Sequence, residues 1–164
     1  MQFDGQVRFN FGTPNVWHFY RFVRALATAG HAVALEWTPL PTDQERFAME
    51  VYVSLERPEE RGRFLHAMLG LVNLEREDSA SRATVEKALN AAGLTQPDAV
   101  AADLDALDRQ ASQLGVTSVP TMYRHGPAVA VALNDAALAG DLERRAAVIL
   151  DVLDDDGIWS LAKP

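Results

Sequence analysis

From Val7 to Phe11, the apolar residues Val7, Phe9 and Phe11 alternate with Arg8 and Asn10, the period of a strand with one buried face. Gly12-Thr13-Pro14-Asn15 interrupts that pattern. Between Val16 and Ala29 the polar residues His18, Arg21, Arg24 and Thr28 then recur every three or four positions among Trp17, Phe19, Tyr20, Phe22, Val23 and Leu26, which predicts a mostly buried helix. Gly30 stands where a left-handed residue closes such a helix, and Val33, Leu35 and Trp37 alternate as a second strand before Pro39 and Pro41 end it. Strand, helix and strand in this order predict a right-handed parallel crossover.

From about Asp43 to Gly115 the pattern changes to helical periods. Val100, Leu104, Leu107, Ala111 and Leu114 fall at alternating spacings of four and three, a single apolar stripe with Asp103, Asp105, Asp108 and Arg109 outside it. Phe64, Leu65, Met68, Leu69, Leu71 and Val72 mark a second stretch, and Ala83 to Ala92 reads as a helix stopped by Gly93. Four helices are expected in this region. Beyond it, Val119 to Tyr123 and Ala128 to Leu133 read as two strands joined by the turn Arg124-His125-Gly126-Pro127. Asp141 is placed to cap a last helix that carries Leu142, Ala146, Ile149, Leu150 and Leu153, and Asp154 to Gly157 breaks it.

Composition narrows the chemistry. The 164 residues contain no cysteine, which removes disulfides, thiolate metal sites and a cysteine nucleophile. The formal charge of −8 opposes binding to phosphate backbones and anionic lipid surfaces, so neither nucleic acid nor membrane is expected as a partner. No basic segment leads into an apolar run at the start of the sequence, and no stretch approaches the roughly eighteen apolar residues that span a bilayer. A cytoplasmic location is the expectation. His18, His31, His66 and His125 lack ligand spacing with one another, so no metal site is expected. The Asp103, Asp105, Asp108 series lacks the glycine and terminal glutamate of a calcium loop and reads as a solvated face.

The element order, a Pro just after the first strand at a helix start, and a Val-Pro-Thr ahead of the third strand together resemble the DsbA-like thioredoxin family. Its relatives include the 2-hydroxychromene-2-carboxylate isomerases, the kappa glutathione transferases and the mycothiol-dependent nitroreductases. Thr13-Pro14-Asn15-Val16 stands where that family carries Cys-Pro-X-Cys, and Gly115-Val116-Thr117-Ser118-Val119-Pro120-Thr121 matches its cis-proline stretch. The resemblance implies an α/β thioredoxin-like fold with an all-helical insertion after the second strand. Residues 1–42 and 115–164 would form the thioredoxin-like part and residues 43–114 the helical insertion.

By the same resemblance, the hydroxyl of Thr13 donates a hydrogen bond to the sulfur of a low-molecular-weight thiol such as glutathione or mycothiol. Pro14, Asn15, Val119, Pro120 and Thr121 complete a thiol- or peptide-binding surface, with His18 as a candidate acid or base. A helix N-terminus favours a nearby anion by roughly 0.3–1 kcal/mol, which suits a thiolate. Plainer readings stand beside these. Thr before Pro is a favoured helix start on conformational grounds alone, the Pro120 bond can serve the fold whatever the activity, and a histidine on a polar helix face is commonly just solvated. A disulfide oxidoreductase is excluded by the chain's own residues, because thiol–disulfide exchange needs a protein sulfur. A thiol-dependent transferase, isomerase or reductase and a noncatalytic binding or scaffold protein both remain open, as does a homodimer built on the helical block. No cofactor beyond such a thiol is indicated.

Overall fold

The computed structural model describes residues 1–98, 103–125, 128–133 and 141–154. In chain order the elements are β1 (Gln2–Phe9), α1 (Pro14–Thr28), β2 (Ala32–Pro39), α2 (Arg46–Ser54), α3 (Pro58–Asn73), α4 (Arg82–Ala91), α5 (Leu104–Gln113), β3 (Thr121–Tyr123), β4 (Val129–Ala130) and α6 (Leu142–Asp154). The four helices expected between the second and third strands are α2 to α5. Two compact units emerge: Met1–Phe9, Asn15–Thr38 and Gln110–Pro164 form the first, and Asn10–Pro14 with Pro39–Arg109 the second.

In the first unit the sheet runs β2-β1-β3-β4. Strand β1 pairs antiparallel with β3, with Val7 opposite Met122 and Arg8 opposite Thr121, and β3 pairs antiparallel with β4. Alternation along Val7 to Phe11 predicts a strand with one wet face. The strand instead begins at Gln2 and ends at Phe9, and Val7, Arg8 and Phe9 are all buried. A central strand is covered on both faces, so alternation is lost where it lies deepest. Phe3, Val7, Phe19, Phe22, Leu26 and Met122 lead the core of this unit, with the Phe3 and Phe22 rings edge to face at 6.0 Å, a preferred aromatic geometry. Helix α1 closes at Gly30 (φ 92°), where the N–H of Gly30 reaches the Ala27 carbonyl and that of His31 the Leu26 carbonyl. This paired closure needs a left-handed residue between its two bonds, and glycine adopts that conformation without Cβ strain.

The second unit is a helical block in which α2, α3 and α4 pack on one another. Phe64, Met49, Met68 and Leu69 are fully buried. The guanidinium of Arg61 donates to the Val53 and Leu55 carbonyls at 2.9 and 2.6 Å, occupying carbonyls that the end of α2 leaves open. Arg63 does the same for Ala92 beyond α4, at 3.0 Å. The short turn ahead of α1, residues 10–14, groups with this block rather than with the strand before it. The side chains described next explain why.

Candidate functional site

Phe11 is fully buried, and its ring meets that of Phe64 edge to face at 6.1 Å. Its main-chain N–H donates to Glu45 Oε1 at 2.6 Å, and the N–H of Gly12 donates to Glu45 Oε2 at 3.2 Å. One carboxylate therefore holds two successive amides. The N–H of Thr13 donates to Asn10 Oδ1 at 2.9 Å, an asparagine side chain standing in for a backbone turn. Pro14 then opens α1, as its fixed φ and missing N–H favour.

A side chain at Gly12 would press on this contact. A Cβ at this position would lie 2.9 Å from Glu45 Oε2 and 3.3 Å from Ser79 Oγ, and the carboxylate is fixed by its bonds. Glu45 is only 6% exposed. Burial holds its carboxyl above the usual carboxylate range, against the pull of hydrogen bonds from Phe11, Ser79 and Gly12, and the charge of Asp78 pushes it further up. Thr13 is half-buried, while Pro14 and Asn15 are exposed at the start of α1. The first turn of that helix carries no acidic side chain to compensate its positive end.

In the first unit the Val119–Pro120 peptide bond is cis. The Pro120 carbonyl accepts the N–H of Val131 at 3.0 Å. Thr121 is buried, and its hydroxyl donates to the Ser118 carbonyl at 2.6 Å. That side chain ties its own loop. Val119 is half-buried. His18 lies half-buried on α1, one residue beyond Trp17, whose ring stacks on Tyr20 at 6.1 Å under the Arg21 guanidinium. The Tyr20 hydroxyl is pushed up by burial, with Arg24 pulling it back.

This arrangement of strands and helices is found in known proteins. A DsbL structure from Salmonella enterica serovar Typhimurium superposes with a TM-score of 0.57 at 14% identity, covering 94% of this chain and 89% of that one. A periplasmic thioredoxin-like protein from the same organism gives 0.64 at 15% identity, covering 88% and 84%. Pseudomonas aeruginosa DsbA gives 0.58 at 18% identity over 99% and 87%. The fold is that of the DsbA-type thioredoxin-like proteins. No protein-family model matches the sequence, and no curated protein matches it.

On this DsbA-type fold, Thr13 and Pro14 fall in the helical unit with Asn10, Glu45 and Ser79, whereas Asn15, His18, Val119, Pro120 and Thr121 fall in the strand-bearing unit. Among the described residues, no group of His, Asp and Glu could hold a metal ion, and no helix is long and apolar enough to cross a membrane. The sequence reading misses Asn10, Glu45 and Ser79. A signal for Glu45 is present in Thr42-x-x-Glu45, the spacing of a capping box. Half of that box forms, with the Glu45 N–H donating to Thr42 Oγ1 at 3.3 Å. In the other half, the carboxylate turns to Phe11 and Gly12, a choice that helix periodicity does not encode.

Proposed function

We propose that this DsbA-type chain binds a low-molecular-weight thiol or a peptide: the Thr13 turn receives the thiol sulfur, and the main chain at Val119 pairs with an extended peptide. The observation that carries the reading is the Thr13 turn itself. Its backbone is fixed by Asn10 and Glu45, and it opens a 15-residue helix with no acid in its first turn. Free N–H groups at such an end favour an anion, and a thiolate is the anion that a hydroxyl at position 13 can orient. A thiol-dependent transferase, isomerase or reductase is the reaction class this supports, with the thiol supplied by the ligand because the chain has no cysteine. His18 is the acid or base that the reading assigns. The alternative is a noncatalytic binding or scaffold protein; the Thr121 hydroxyl, spent on its own loop, favours it by removing one group from substrate contact.

Glutathione, mycothiol and bacillithiol should each be titrated by calorimetry into the wild type and Thr13→Ala, with S-methylglutathione as the control without a free thiol. Binding of at least one thiol at millimolar concentration or below is expected, weakened about threefold to tenfold by Thr13→Ala, the value of one hydrogen bond. No binding by any of the three defeats the reading. Cytoplasmic placement remains our expectation from sequence, although one structural neighbour is described as periplasmic, which points the other way. A homodimer is likewise proposed only as a use for the helical block.

A further inference from the structure

Glu45 is a buried carboxyl that the thiol reading leaves without a role. Its two oxygens accept successive amides of the segment that carries Thr13, Ser79 adds a hydrogen bond, and a side chain at Gly12 would press on the same contact. An ionised carboxylate satisfies two adjacent amides with one full acceptor oxygen each. Protonation makes one of the two oxygens a weaker acceptor, and the amide of glutamine turns one end into a donor facing a donor.

We propose that Glu45 is the positioning residue of the Thr13 turn, its carboxylate holding the Phe11 and Gly12 amides so that residues 10–14 present Thr13 to an anionic ligand. The inference takes its functional meaning from the thiol reading, yet the positioning can be observed without a ligand. Protonating Glu45 weakens its hold on one amide and loosens the turn. Asp78 is the charged group that bears on Glu45, while Arg46, next along the chain, is engaged with Glu50 and Asp105.

The test uses the full 164-residue chain, labelled for amide NMR, as wild type, Glu45→Gln, Gly12→Ala and Asp78→Asn. In the wild type the Phe11 and Gly12 amide resonances should titrate together as pH falls, with a midpoint above the usual carboxylate range. In Glu45→Gln that titration should vanish and the resonances of residues 11–13 should move at neutral pH. Asp78→Asn should keep the titration at a lower midpoint. Gly12→Ala presses on the same contact from the turn side and should move the same resonances, which covers the case in which Glu45→Gln folds poorly. Glutathione affinity should fall at least about fivefold in Glu45→Gln, because apparent affinity scales with the fraction of chains in the competent form. Amides that do not titrate in the wild type, or that keep their positions in Glu45→Gln, overturn the proposal. So does an unchanged glutathione affinity in a variant whose turn has moved. If the wild type binds none of glutathione, mycothiol and bacillithiol, the thiol reading fails, while the amide titration still decides whether Glu45 sets the turn.

Discussion

At Glu45 two effects oppose each other, and the sign of the outcome has a consequence for stability. Three hydrogen bonds favour the ionised form, but loss of water disfavours it more, so the folded-state carboxyl lies above its unfolded value. A raised carboxyl binds more protons folded than unfolded. Its contribution is therefore fully present below the unfolded value, near about pH 4.3, and is lost as pH rises through the folded value. Against Glu45→Gln, which cannot ionise, the wild type should lose relative thermal stability from about pH 4.3 upward and level off once Glu45 is fully charged. Paired melts of the two proteins from acid to neutral pH check this, and a difference that grows in favour of the wild type with rising pH would contradict it. Arg8 shows the limits of reading single residues in sequence. It sits at a polar position in an alternating run, yet only 2% of it is exposed, because β1 is covered on both faces there, as the burial of Val7, Arg8 and Phe9 in succession shows.

At the level of elements, helix ends carry most of the legible signal. Asp141 is readable as a cap, and its Oδ1 accepts the N–H of Arg144 at 3.1 Å, one of the donors that the start of α6 leaves unpaired. Asp141→Ala should destabilise the chain by about 0.5–2 kcal/mol, whereas Asp141→Asn, an equally good cap, should recover most of the loss. Urea denaturation of the three proteins measures both. A cost for Asn as large as for Ala would show that charge rather than capping matters there. The other end of α6 departs from expectation. Dipole grounds put Asp154 beyond the helix, but it is the last helical residue, and its carboxylate meets Arg124 at 2.8 Å while Asp4 holds the same guanidinium at 2.9 Å. The ion pair with Arg124 works against an unfavourable dipole position, and a contact between residues 124 and 154 leaves no trace in local periodicity. Asp155 to Gly157 lie outside the described residues. The candidate site divides in the same way. Thr13, Pro14 and Pro120 are legible because helix starts and Val-Pro-Thr are local motifs, whereas Glu45 is not, since its partners lie 33 and 34 positions away.

For the molecule as a whole, a DsbA-type fold persists at 14–18% identity to its structural neighbours and without any sulfur nucleophile. The scaffold is therefore separable from the chemistry, as folds generally are from their sites. If the Thr13 turn keeps the electrostatics of a helix N-terminus, restoring sulfur should restore reactivity. Thr13→Cys combined with Val16→Cys places two thiols at the spacing of Cys-Pro-X-Cys, the first half-buried at the turn and the second at the buried position 16 of α1. The wild type should show no turnover in an insulin disulfide-reduction assay, because exchange proceeds only through a mixed disulfide on the protein. The double variant should gain turnover, and the thiol introduced at position 13 should ionise below about 8.5, the ordinary value, because the helix end stabilises its anion. Glu45 opposes this through its own negative charge, so Glu45→Gln in the same background should lower the thiol's ionisation further while loosening the turn. Thiolate absorbance followed against pH in both backgrounds separates the two effects. A position-13 thiol that ionises at or above the ordinary value even with Glu45 neutralised would mean that this turn does not favour anions, and the thiol reading of Thr13 would lose its electrostatic basis.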